Sequence, residues 1–87
     1  MSHWHLEISP QFEKAARKLD RTVLRRVKTY LDEVCSLEDP RSRGKGLTAS
    51  LAGYWRYRIG DYRVIVEIRD HALIIVAIDL GHRAEIY

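Results

Sequence analysis

Arg56, Arg58 and Arg63 fall in the run Tyr54-Trp55-Arg56-Tyr57-Arg58-Ile59-Gly60-Asp61-Tyr62-Arg63. Glycine at the first central position of a two-residue turn supplies the positive φ of a type II′ hairpin, so Gly60-Asp61 predicts a turn between two strands. Ile59 then faces Tyr62, Arg58 faces Arg63 and Arg56 faces Ile65, with alternation sending all three arginines to one side of the sheet and Trp55, Tyr57 and Ile59 to the other. Like charges directly opposed destabilise a sheet by a few tenths to about 1 kcal/mol. A merely solvated face would more often mix the signs. The arrangement therefore points to an anion, and planar guanidinium forks match phosphate.

Charge along the chain agrees. Residues 41–63 hold Arg41, Arg43, Lys45, Arg56, Arg58 and Arg63 against Asp61 alone, whereas residues 1–40 balance and residues 64–87 are acidic, so the net +3 comes from one loop and one hairpin. A focused basic patch on a small domain is the footprint of phosphate recognition.

The elements that must position these residues can be read from periodicity. His3 to Ile8 alternates, with Trp4, Leu6 and Ile8 on one face, and predicts a first strand. Ser9-Pro10 offers an N-cap and a proline at the first helical position, opening a helix to about Leu19. A second helix carries Val23, Val27, Tyr30, Leu31, Val34 and Leu37 at spacings of three and four, and the two form an αα-hairpin joined at Asp20-Arg21. Asp39-Pro40 ends it, and Arg41-Ser-Arg-Gly-Lys-Gly reads as a flexible basic loop. Strands over Tyr54–Ile59, Tyr62–Arg69 and Ala72–Leu80 follow, the last apolar on both faces and so central. With a turn at Asp70-His71, Tyr62 would lie near Asp79, and Gly81-His82-Arg83 would emerge beside Arg58 and Arg63. The expected fold is α+β, a first strand and two-helix hairpin packed on a mostly antiparallel four-stranded sheet, in one domain over residues 1–87.

Eighty-seven residues, 46% hydrophobic and 31% charged, suit an ordinary globular protein. No apolar run approaches the roughly 20 residues of a membrane helix, and the amino terminus lacks a signal peptide's regions, so a cytoplasmic location and no membrane partner are expected. Cys35 is the lone cysteine and sits in the helical apolar pattern, which favours a packing role. His3 and His5 share a strand face without a third ligand, and neither metal nor cofactor is expected.

The hairpin run from Gly53 to Arg63, followed by Gly81-His82-Arg83-Ala84-Glu85-Ile86-Tyr87, resembles the RelE branch of the RelE/ParE toxin superfamily over essentially the whole chain. The resemblance implies the toxin of a type II toxin–antitoxin pair, a ribosome-dependent endoribonuclease that cuts messenger RNA in the 30S A site. It implies a RelB-like antitoxin as partner, in a heterotetramer or heterodimer. By position, Arg56 and Arg58 match basic strand residues against the RNA backbone, Arg63 an arginine holding the scissile phosphate, Arg83 one near the leaving group, and Tyr87 a tyrosine that orients a base by stacking. Tyr54, on the arginine face, and Lys45, Arg41 and Arg43 then become RNA contacts of the sequence-independent kind.

Attack by a 2′-OH adds negative charge to the phosphorus centre, which preorganised guanidinium groups stabilise. Some relatives carry lysines where Arg56 and Arg58 stand, and arginine does not accept a proton at neutral pH. Another branch uses a glutamate ahead of the Gly-aromatic-Trp segment, yet Leu47-Thr-Ala-Ser-Leu-Ala has no acid. The proton acceptor is thus unassigned: His82 is the best titrating candidate, with Glu85 and Asp61 as others. Two alternatives stay open, a ParE-like module that binds DNA gyrase without cutting RNA and a degenerate member that only binds its antitoxin.

Overall fold

The computed structural model describes residues 4–84. Its elements are β1 (His5–Ile8), α1 (Pro10–Ala16), α2 (Arg21–Cys35), β2 (Lys45–Gly46), β3 (Trp55–Ile59), β4 (Tyr62–Arg69) and β5 (Ile74–His82), with short 3-10 turns at Pro40–Ser42, Ala49–Leu51 and Asp70–Ala72. The strands form one sheet in the order β1-β5-β4-β3-β2. The β1–β5 pair is parallel and the other pairs are antiparallel.

Ser9 starts the helical layer and also ties it to the sheet. Its hydroxyl accepts from the Phe12 amide at 3.0 Å and donates to the Ile78 carbonyl of β5 at 2.7 Å. The Ser9 amide donates to Ala77 O at 3.0 Å. Helix α1 stops at Ala16, short of the expected Leu19, because Lys18 and Leu19 bond three residues back, to Ala15 and Ala16, in a tightened last turn. Asp20 then caps α2 through Val23 N at 2.9 Å. The α2 stripe buries Val27, Leu31 and Val34 against Phe12 and the helix-facing side of the sheet, where Tyr57, Val64, Val66, Ile75, Ala77 and Leu80 are buried. Trp4 and Leu6 pack at the edge of this core, whereas Ile8, expected beside them, is 45% exposed.

Two expectations need correcting. The sheet has five strands, and the extra one, β2, lies in the segment read as a flexible loop. Glycine makes this possible. Gly44 has φ +81°, and a Cβ there would sit 2.4 Å from Arg56 O and 2.7 Å from Trp55 Nε1, so only a residue without a side chain lets the segment close onto β3. Two aromatic side chains complete the attachment, with Trp55 Nε1 donating to Arg43 O at 2.6 Å and the Tyr57 hydroxyl to Pro40 O at 2.5 Å.

The β4–β5 register also differs. Asp70–Ala72 forms a 3-10 turn and Leu73 takes a left-handed conformation, so Arg69 pairs with Ile74 and not with Ala72. An irregularity at Ile65/Val66 then leaves Ile78 as an extra residue in β5, a β-bulge. Together these bring His82, in place of Asp79, opposite Tyr62.

Ser9→Ala removes a cap and leaves the Ile78 carbonyl without its hydroxyl donor, and should lower unfolding free energy by about 1–2 kcal/mol, read from the urea midpoint. Burial, with smaller contributions from Tyr30 and Cys35, pushes the Tyr57 phenol well above its ordinary 10.0. The folded protein therefore favours the neutral phenol. That stability is full below pH 10 and lost as pH climbs toward the folded value. Tyr57→Phe should be weaker at neutral pH by about 1–2 kcal/mol but lose stability less steeply in alkali, as denaturant titrations across pH will show.

Candidate functional site

The face of the sheet turned away from the helices carries the cations in two rows. Arg58, Arg63 and Gly81 lie side by side on β3, β4 and β5, and Lys45, Arg56, Ile65 and Asp79 form the next row across β2 to β5. The predicted opposition of Arg58 and Arg63 is thus present. The bulge at Ile78 is what puts Gly81 beside Arg63, since an unbroken register from Ala77 would have put Leu80 there; Leu80 instead joins the core.

Arg63 is only 9% exposed. Its Nη1 makes long contacts to the carbonyls of Tyr62 at 3.3 Å and Gly60 at 3.4 Å, and its buried Nε has no hydrogen-bond partner among the described residues. Burial lowers its pKa, and the charges of Arg58, Arg56 and Arg83 lower it further against an opposing pull from Asp61. A guanidinium still remains protonated at neutral pH. The result is a desolvated fork of donors, held by neighbours that repel it and with no acid among the described residues bonded to it.

Arg83 converges on the same end of the sheet, as the strand order predicted. Its amide donates to Asp61 O at 2.7 Å, fastening the second motif to the hairpin turn. The side-chain contact to Asp61 is 3.9 Å long and exposed, and contributes little.

Other sequence candidates lie elsewhere. His82 is in register with Tyr62, on the helix-facing side; the rings meet edge-on at 5.5 Å, and Nδ1 accepts from the Ala84 amide at 3.2 Å. The residue next to Gly81 has the opposite parity to it, so the histidine and the arginines occupy different faces. Arg41 makes a bidentate pair with Asp70 at 2.9 Å, at the far end of β4 from the Gly60 turn. Arg43 bonds Glu33 at 3.1 Å and stacks over Tyr30. Both were expected to touch RNA, and in the structure each makes an exposed pair with an acid. Lys45 does join the face, opposite Arg56. Tyr54 is half-buried just before β3, its backbone bonded to Leu47 and Leu51. Tyr87 and Glu85 lie outside the described residues. Cys35 is half-buried, and burial with the nearby Asp32 pushes its thiol pKa up, away from nucleophile behaviour.

Segment charge counting missed Arg25 and Arg26. With Arg58, Thr29, Tyr30, Gly60 and one acid, Glu33, they line a cleft of about 460 Å³ where α2 meets the hairpin, and the Arg26 guanidinium approaches within 3.1 Å of the place a Gly60 Cβ would take. Their position off the apolar stripe of α2 was the available signal. The basic surface therefore wraps around the turn.

The chain belongs to the family of ParE toxins of the type II toxin–antitoxin system parDE, whose profile matches residues 6–87. It is similar in structure to a chain of the RelBE2 toxin–antitoxin complex of Mycobacterium tuberculosis, with 26% identity, TM-score 0.86, and coverage of 97% of this chain and 95% of that one. A chain of the archaeal RelE–RelB complex of Pyrococcus horikoshii OT3 matches with 28% identity, TM-score 0.73, and 95% and 97% coverage. The intact Escherichia coli RelBE complex shares the fold at 20% identity, TM-score 0.73, with 91% and 95% covered. A comparison with curated proteins finds no match. The superfamily and the RelE-like fold drawn from the two motifs are thus borne out.

Replacing Arg58, exposed and directly opposite Arg63, should relieve the repulsion. Arg58→Gln is expected to raise Tm by about 1–4 °C at low ionic strength, a gain that shrinks toward zero near 1 M salt, as calorimetry across salt concentrations will check.

Proposed function

We propose that this toxin is a ribosome-dependent endoribonuclease that cuts messenger RNA in the A site by attack of the substrate's 2′-OH. The observation that carries the reading is Arg63: buried, repelled by three neighbouring arginines, and with a buried donor that no described residue satisfies. A phosphate is the ligand that answers all three conditions. Charge grows on its non-bridging oxygens as the 2′-oxygen attacks, so the donors gain most at the transition state. In this reading Arg63 holds the scissile phosphate, Arg58 and Arg56 carry the flanking backbone, and Arg83, tied to the Asp61 turn, serves the departing 5′-oxygen. The products are a 2′,3′-cyclic phosphate and a 5′-hydroxyl.

The arginines cannot accept the first proton. With His82 on the opposite face, catalysis here rests on orientation and charge stabilisation within the ribosomal site, and Tyr87 is proposed to stack on a substrate base. The inhibitory partner is a RelB-like antitoxin, as in the M. tuberculosis and P. horikoshii complexes, whose chains this one resembles.

A second reading, gyrase binding without RNA cleavage, is favoured by the ParE description under which the family matches. Mapping messenger RNA 5′ ends in a translating extract separates the two. A-site cleavage should fall about 100- to 1000-fold in Arg63→Ala and fall also in Arg83→Ala, while His82→Gln keeps the wild-type pH profile. Intact messenger alongside gyrase-linked DNA breaks would reject the nuclease.

A further inference from the structure

Beyond the second row of cations, β2, β3 and the Ala49–Leu51 turn enclose a pocket of about 250 Å³ lined by Lys45, Gly46, Leu47, Thr48, Leu51 and Arg56. Its rim belongs to the basic face, because Lys45 and Arg56 are cross-strand partners. Its walls do not. Leu47 and Leu51 are half-buried and line this pocket.

The loop is preformed. Leu47 N bonds Tyr54 O, Leu51 N bonds Thr48 O and Tyr54 N bonds Leu51 O, each at 3.1 Å. It also carries strain, since Ala49 has φ 56°, a left-handed conformation that crowds the Cβ of a non-glycine residue. Thr48 stands at the N-cap position of the turn, yet its hydroxyl makes no capping bond. That hydroxyl can both donate and accept.

Aliphatic walls, a cationic rim and one spare hydroxyl together select a ligand with a flat apolar ring beside an anion. A lone phosphate would make no use of the leucines, and an apolar side chain would make none of the rim. The volume is below the roughly 300–1,000 Å³ that drug-sized ligands need, so one ring system fits and a larger one does not. We infer that this pocket takes the base of the nucleotide next to the cleaved linkage, with its phosphate on Lys45 and Arg56 and its polar edge on the Thr48 hydroxyl. The inference rests on the RNA-cleaving reading, and assigns to residues 47–51 the choice of sequence at that site.

Methyl-selective and arginine-selective NMR on the full chain tests it without cleavage. Inorganic phosphate should move the Arg63 Nε–H signal and leave the Leu47, Thr48 and Leu51 methyls in place. The four nucleoside 3′-monophosphates should move the methyls as well, by amounts that depend on the base. Leu51→Trp, which fills the pocket, should remove the Leu47 and Thr48 responses and lower nucleotide affinity about tenfold, leaving phosphate affinity unchanged. Thr48→Val should keep binding but erase the differences among bases.

Methyls that stay silent with every nucleotide while Arg63 responds would overturn the base pocket and leave the phosphate site standing. Silence from Arg63 as well would remove the RNA reading and this inference with it. Methyls that answer only to an acidic antitoxin peptide would assign the pocket to protein docking and overturn it equally.

Discussion

Burying the guanidinium of Arg63 among other cations is the demand that the remainder of the sheet must meet. A charge taken out of water is normally matched by an acid or by several hydrogen bonds. Here it receives two long carbonyl contacts, and Arg58 stands directly opposite. The opposite side of the sheet supplies the compensation, through Tyr57, Val64, Val66, Ile75 and the α2 stripe. An apolar layer on one side thus holds in place a repulsive layer on the other.

Each cation depends on a local device that is not itself charged. Gly44 lets β2 close onto β3 and so places Lys45 opposite Arg56. Gly81 leaves the far flank of Arg63 without a side chain, and the Asp61 carbonyl catches the Arg83 amide. Ser9 joins the start of α1 to the bulge that sets the β5 parity. The acids distant in sequence matter in the same way. By engaging Arg41 and Arg43, Asp70 and Glu33 keep those two arginines off the face and concentrate the field on the hairpin.

Much of this was legible in the chain because it follows from short-range rules. The Gly60-Asp61 turn fixed the Arg58–Arg63 opposition and the limits of β4, since a two-residue hairpin leaves no freedom of register. The αα-hairpin followed from the N-cap signal at Ser9-Pro10, the junction at Asp20-Arg21 and the apolar spacing of α2. What escaped depends on contacts that linear patterning does not encode. A left-handed Leu73 slid β5 by two residues and the extra Ile78 turned His82 to the other face, and neither residue type announces such a role. Strand β2 has only two residues, too few for any alternation, and is specified by clearance at Gly44. Arg25 and Arg26 were concealed by counting charge in blocks along the chain, when the relevant neighbour was a turn on β3–β4.

The bulge carries a consequence for how related chains are found. Ile78 has no partner on β4, and the pairs on either side of it, Val66 with Ala77 and Ile65 with Asp79, would be the same in a strand that lacked it. The interval between Arg63 and Arg83 is therefore free to shrink by one residue with Gly81 still beside Arg63. A chain with the bulge and a chain without it would share one arginine geometry, so a search pattern for the two motifs has to allow the gap between them to differ by one residue.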